Sequence, residues 1–221
     1  METIKQEYRK FFKDNFHGLR LRKPLFYSWH IGLRFNLQVG ETDTDEYFQE
    51  VNRRASTIFR SAFENSDTTF FMFMDYKYKR RKINFKNFLF KQIHQLATTE
   101  VIYTKEKMLY DIDPRFNIMN VSFIKLKTER INYENIIAAI AHKDFPSRQP
   151  RLDKRGVFSD KEVYFVNLDK KLVLHMYDDR GLDIISSDKE ILRPIYLKYS
   201  DWLLDYDRKT MDEIFGQKNA L

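Results

Sequence analysis

The chain has 221 residues, 43% hydrophobic and 16% aromatic, with Gly (6) and Pro (5) scarce, which excludes disordered, low-complexity and collagen-like classes. The absence of Cys removes disulfide scaffolds, thiolate metal sites and thiol nucleophiles. The net charge is +7 but unevenly spread, so its distribution constrains partners more than its total does.

Ile4, Tyr8, Phe11, Phe12 and Phe16 recur at helical spacing, predicting a helix over 2–16 that ends at His17–Gly18. Trp29, Ile31, Leu33, Phe35, Leu37 and Val39 alternate with polar residues, predicting a strand over 29–39 with one buried and one solvated face. A capped start at Thr42–Asp45 opens a helix to about Phe63, and a strand follows over Thr69–Tyr78. A helix is expected over 84–97, strands over about 100–110 and 119–128 around an Asp113–Pro114 turn, and a helix over 133–142 capped by Asn132. Residues 143–160 form a long polar loop with Pro146, Pro150 and Gly156. Beyond it come a hairpin of Glu162–Leu168 and Leu172–Tyr177, a turn at Asp178–Gly181, a strand over Leu182–Ser186, and helices near 188–203 and 208–215.

Several strands follow one another directly, which predicts an α+β fold, a mixed, largely antiparallel sheet with helices packed on it. The chain reads as one domain over 1–221. If it divides, it divides into lobes 1–143 and 160–221 at the loop 144–159. The N-terminal stretch has no apolar leader, and the longest aliphatic run, Ile136–Ala141, falls far short of the roughly 20 residues a membrane span needs. A cytoplasmic protein with no membrane partner is expected.

Three constellations carry the chemistry. Residues Tyr177–Glu213 hold ten acids against six bases, a net −4 in a basic chain. Within it, Asp178, Asp179, Arg180, Asp183, Trp202, Asp205, Tyr206 and Asp207 combine carboxylates with aromatics. Such a surface suits a basic protein partner, the aromatics supplying energy and the charges the on-rate. Clustered carboxylates also bind divalent cations, so a metal-dependent hydrolase is a further alternative. Structural duties compete with both readings: Asp178 and Asp179 suit a turn, Asp207 suits a helix N-cap, and Asp179–Arg180 and Asp205–Arg208 can pair. The second constellation is Lys77, Lys79, Arg80, Arg81 and Lys82, continued by Lys86 and Lys91 with Tyr and Phe between them. This mixture suits nucleic acid. The third is His175 near Asp178 and Asp179, a pairing that general-base chemistry uses. The five histidines show no zinc-ligand spacing, and phosphate-loop, dinucleotide and nucleophile-elbow motifs are absent. No catalytic residue, metal or cofactor is assigned.

ValTyrPheValAsn at 163–167, HisMetTyrAspAspArgGlyLeuAsp at 175–183 and TyrLeuLysTyrSerAspTrpLeuLeuAspTyrAspArg at 196–208 resemble an uncharacterised bacterial family, domain-of-unknown-function family 3885. ArgAlaSerThrIlePhe at 54–59 and AsnPheLysAsnPheLeu at 84–89 extend the resemblance upstream. The family has no known activity, so the resemblance implies no catalytic role. Bacterial proteins of this small, acidic-tailed type include antidotes to toxins, and by that analogy an immunity-type protein is one expected form of the binding module.

Overall fold

The computed structural model describes residues 3–76, 83–107, 118–153 and 161–216. Among them lie seven strands and six α-helices. The strands are β1 (Gly32–Asn36), β2 (Thr68–Tyr76), β3 (Ile102–Lys107), β4 (Ile118–Lys127), β5 (Glu162–Asn167), β6 (Leu172–Met176) and β7 (Gly181–Ser186). The helices are α1 (Ile4–Phe16), α2 (Asp45–Ala62), α3 (Phe88–Lys91), α4 (Tyr133–Ala141), α5 (Lys189–Lys198) and α6 (Arg208–Phe215). The strands make one sheet in the order β1-β7-β6-β5-β2-β4-β3, and every ladder is antiparallel. The protein is an α+β fold.

The long loop does not interrupt this sheet. β1 pairs with β7 and β2 with β5, so the three strands after it form a block between β1 and β2 in the same sheet. Arg148, within the loop, pairs with Asp43 and Asp45 and lies over the Phe48 ring at 4.3 Å.

Each sheet face is covered. Period-two alternation sends Phe71, Phe73, Phe165, Leu174 and Ile184 to one side, where they meet Phe59, Ile136 and Leu192 from α2, α4 and α5. The other side, carrying Phe70, Met72, Phe123, Tyr164 and Ile185, is covered by Phe12 and Phe16 of α1. α1 begins at a Thr3–Gln6 capping box and ends at His17 in the left-handed region (φ 50), followed by Gly18 (φ 78). α2 is capped by Thr44, and α4 by Asn132 as the sequence predicts.

Four expectations need correction. The strand predicted over 29–39 is regular only over Gly32–Asn36. Upstream of it the chain makes a 3-10 turn at Phe26–Ser28, and the Trp29 indole N–H donates to the Ser186 carbonyl at 2.7 Å. The polar face of this strand is solvated only at its ends, His30 and Gln38, because Arg34 between them is largely buried in an ion pair. The helix expected over 84–97 shrinks to α3. Its backbone groups bond across to another segment instead: His94 N–H to the Arg130 carbonyl, and Asn132 N–H to the Gln92 carbonyl. The helix expected over 188–203 stops at Lys198 and gives way to a 3-10 turn, Ser200–Trp202. Leu203 then forms a bridge with Phe35, and the Leu204 N–H donates to the Arg34 carbonyl at 2.8 Å. That contact covers the outer edge of β1. The Asp113–Pro114 turn and the end of the Thr69–Tyr78 strand lie outside the described residues.

Gly181 opens β7 because nothing larger fits. A Cβ there would collide with the Tyr177 hydroxyl and sit 2.7 Å from the Phe35 carbonyl oxygen. Gly181→Ala is expected to destabilise the fold by about 1–3 kcal/mol, read as a lower urea midpoint with an unchanged slope.

Candidate functional site

The register of the β1 edge places Arg34 opposite Asp183, and Asp183 opposite His175 on the next strand. All three therefore share one face, beside the 24–28 segment. Arg34 Nε lies 3.2 Å from an Asp183 oxygen, and its Nη1 lies 3.4 Å from Asp207. The other Asp183 oxygen accepts the Phe26 amide at 3.1 Å. The Arg34 guanidinium also lies over the rings of Tyr27 (5.0 Å) and Tyr177 (5.4 Å). The Tyr27 hydroxyl donates to Asp207 at 2.9 Å. One cation thus joins three segments far apart in sequence.

Burial sets the protonation of this cluster. Asp183 is fully buried, and desolvation pushes its carboxyl up to about 6 despite the opposing pull of Arg34 and the Phe26 and Leu25 amides. Burial works against the Arg34 charge too, but Asp183 and Tyr177 outweigh it and keep the guanidinium firmly protonated. The Tyr27 hydroxyl is raised by burial and by Asp207.

A second carboxylate group lies in the β6–β7 turn. Asp178 accepts the Arg180 amide at 2.8 Å and is clasped by the Arg180 guanidinium. Asp179 accepts the Tyr47 hydroxyl of α2, which also receives the Gln38 amide at 3.1 Å. Burial raises both the Asp179 carboxyl and the Tyr47 hydroxyl. The exposed Asp144 completes a triad whose oxygens all lie within 4.8 Å of one another, the one described group that could hold a cation. Asp144 lies in the long loop, with no spacing signal linking it to the turn. Two of the three carboxylates already have strong protein partners, Arg180 for Asp178 and Tyr47 for Asp179.

The predicted site residues therefore separate. Asp178, Asp179, Asp183 and Asp207 are all buried. Asp183 and Asp207 gather on Arg34, whereas Asp178 and Asp179 gather with Asp144. Asp207 stands at the start of α6, yet its side chain makes no capping bond and turns to Tyr27 and Arg34 instead. Arg180 pairs with Asp178 rather than Asp179. Trp202 stacks on Tyr199 at 4.9 Å beneath Arg53 and Arg54. Asp205 is 99% exposed and 3.9 Å from Arg208, and Tyr206 is 86% exposed. Lys77, Lys79, Arg80, Arg81 and Lys82 lie outside the described residues. His175 does not engage the neighbouring aspartates. It is fully buried, bonds the Val163 carbonyl through Nδ1 at 2.8 Å, and stacks on Tyr164. Burial holds it below its usual range, neutral.

Sequence reasoning missed Arg34, Tyr27, Tyr47 and Asp144 as partners of the aspartates. Alternation gave Arg34 only a solvated face, and the others lie on distant segments.

These features define an α+β protein built on one antiparallel sheet, with an arginine clamped between buried aspartates at its edge. The chain belongs to the family described as Domain of unknown function (DUF3885), whose profile matches residues 8–207. It is similar to "Uncharacterized protein YnaE" of Bacillus subtilis (strain 168), 26% identical over 212 residues that cover 89% of this chain and 96% of that one. No solved structure matches. No described helix is long and apolar enough to cross a membrane.

Arg34→Met would leave two buried carboxylates without their cation. It is expected to cost about 3–5 kcal/mol at neutral pH, read by urea unfolding. Asp183 has a raised folded pKa, so the native state binds its proton more tightly than the unfolded chain does. Its contribution is fully present below the ordinary carboxyl value of 3.8 and is lost as pH rises through about 6. Removing Arg34 raises that carboxyl further. The deficit of Arg34→Met should therefore shrink on going from neutral pH to about 5.

Proposed function

We propose that the protein is a non-enzymatic binding module that meets a basic protein partner through the exposed side of its C-terminal region. The observation that carries the reading is Tyr206. It is 86% exposed, yet its neighbour Asp207 is buried and held by Tyr27 and Arg34. A large aromatic is thus displayed on a pinned turn, Asp205–Asp207, with the Asp205 carboxylate in solvent beside it. A backbone turn fixed in advance loses little freedom on binding, and Tyr is favoured at the energetic centre of interfaces. Tyr27, also exposed, flanks the same turn.

This reading assigns the eight predicted residues two duties. Asp178, Asp179, Asp183 and Asp207 hold the scaffold, with Arg180 and Trp202 partnered beside them. Asp205 and Tyr206 meet the partner. A cationic toxin neutralised by this surface is one specific form of that partner.

The test is a pull-down with the tagged chain from a nuclease-treated lysate of the source organism, run beside a Tyr206→Ala/Asp205→Asn variant. Both side chains are exposed, so the variant should unfold at the same urea concentration as the parent. A protein retained stoichiometrically by the parent should bind the variant at least about 30-fold more weakly, equivalent to roughly 2 kcal/mol for an interface anchor. A partner held equally by both would show that this turn is not the interface. Retention of nucleic acid alone, before nuclease treatment, would favour the basic stretch 77–91 instead.

A further inference from the structure

At the opposite end of the sheet, a cleft of about 540 Å³ opens between α1, the Gly18–Leu21 connection and strands β2, β4 and β3. Its size falls within the roughly 300–1,000 Å³ of small-molecule sites. The apolar side chains beneath it, Met72, Met74 and Phe123 among them, are buried and closed to a guest. A ligand there is held by the walls. These carry Lys5, Arg9, Arg20 and Lys105, together with the Tyr8 and Thr104 hydroxyls. Arg9, Arg20 and Lys105 are exposed. Among the described residues no acid lines the cleft.

Ammonium and guanidinium groups donate hydrogen bonds and accept none, so the complementary ligand offers acceptors and negative charge. The protein supplies little of either. Glu7 of α1 is engaged by Lys125, and Lys5 donates to the Thr104 hydroxyl at 3.4 Å. Among the described residues Arg9, Arg20 and Lys105 meet no carboxylate. Lys5 and Arg9 stand one turn apart on the same side of α1, about 6 Å along its axis. Arg20 comes from the connection after α1 and Lys105 from β3. Cations spread over three elements match an anion whose charges recur along a chain better than they match a single carboxylate. Arginine grips phosphate oxygens with paired N–H groups, and lysine adds a point charge. The wall aromatic, Tyr8, is packed on Phe12 at 4.8 Å and on Phe123 at 5.3 Å, so the cleft suits phosphates more than stacked bases.

We propose that this cleft binds a linear oligophosphate, free or as the phosphate tail of a nucleotide, held by Lys5, Arg9, Arg20 and Lys105. Like charges one turn apart repel, and the bound anion relieves that repulsion. The proposal is independent of the Tyr206 surface, which lies beside β1 at the other edge of the sheet.

The test is calorimetric titration of the full chain with tripolyphosphate, repeated with adenosine triphosphate, adenosine monophosphate, citrate and a short oligothymidylate. The expected result is saturable one-to-one binding of tripolyphosphate that weakens as salt is added and raises the urea midpoint. Adenosine triphosphate should displace it. The monophosphate and citrate, which lack a phosphate chain, should bind at least about tenfold more weakly. Arg9→Glu/Arg20→Glu, at two exposed positions, should lower tripolyphosphate affinity at least about tenfold without lowering the urea midpoint. Lys10→Glu/Lys13→Glu makes the same change of charge on α1 at exposed residues that do not line the cleft, and should leave affinity within about twofold. Tyr206→Ala should bind as the parent does. Absence of saturable tripolyphosphate binding would overturn the proposal. So would equal affinity for citrate, unchanged affinity in the Arg9/Arg20 variant, or an equal loss in the Lys10/Lys13 variant, which would reduce the effect to net charge. Binding of oligothymidylate tighter than that of tripolyphosphate would also overturn it and assign the cleft to single-stranded nucleic acid.

Discussion

Arg34 is the constraint on which the β1 edge depends. Burying a cation between two carboxylates is costly, because each ion gives up several kcal/mol of hydration. The cost is offset in part by partners that the edge of the fold supplies, although Arg34 Nε and the Asp183 oxygen it faces meet as an ion pair at 3.2 Å without hydrogen-bond geometry. Asp183 gains the Phe26 amide, Asp207 gains the Tyr27 hydroxyl, and the guanidinium gains two aromatic faces. Those partners come from the segment before β1, from β7, and from the start of α6. The same backbone is tied again outside the cluster, where the Leu204 amide bonds the Arg34 carbonyl and Met211 receives the Arg34 amide. A hydrophobic residue in place of Arg34 could fill the space, but it could not fix the direction from which these three segments arrive.

That arrangement explains which parts of the fold were legible in the sequence. α1, α2 and α4 were clear because helix formation is decided locally: an apolar stripe and a side chain that caps the amide three residues on, with a left-handed stop at α1. The β5–β6 hairpin was clear for the same reason. The region 84–97 misled because Phe85, Phe88, Leu89 and Ile93 fit a helical stripe, yet the backbone's best partners were the Arg130–Asn132 groups. Burial of the stripe was right, and the hydrogen-bond partner was wrong. Periodicity reports which side chains are apolar, not where the amides will bond.

The aspartates show the same limit at the level of a site. Turn propensity correctly described Asp178, whose oxygen accepts the amide two residues on. Cap propensity placed Asp207 at the right helix and gave it the wrong task. A polar residue opposite apolar ones in a strand was read as solvated, whereas Arg34 faces an internal acid. Nothing within β1 distinguishes these cases. The difference lies in Asp183, which becomes a neighbour only when β7 pairs with β1.

The separation of charge follows from the same topology. Of the ten tail acids, Asp178, Asp179, Asp183 and Asp207 are buried and engaged by Arg180, Tyr47, Arg34 and Tyr27, whereas the other six are exposed. The buried four serve the scaffold, and the exposed acids, Asp205 beside Tyr206 among them, are what remains for a partner. At the β3 end the balance reverses. The apolar face that α1 covers is continuous with that of Tyr164 and Ile185, and Lys5, Arg9 and Arg20 lie at its margin. A single sheet thus presents two chemically opposite margins, and a ligand or partner selected by charge would be sorted between them before any specific contact was made.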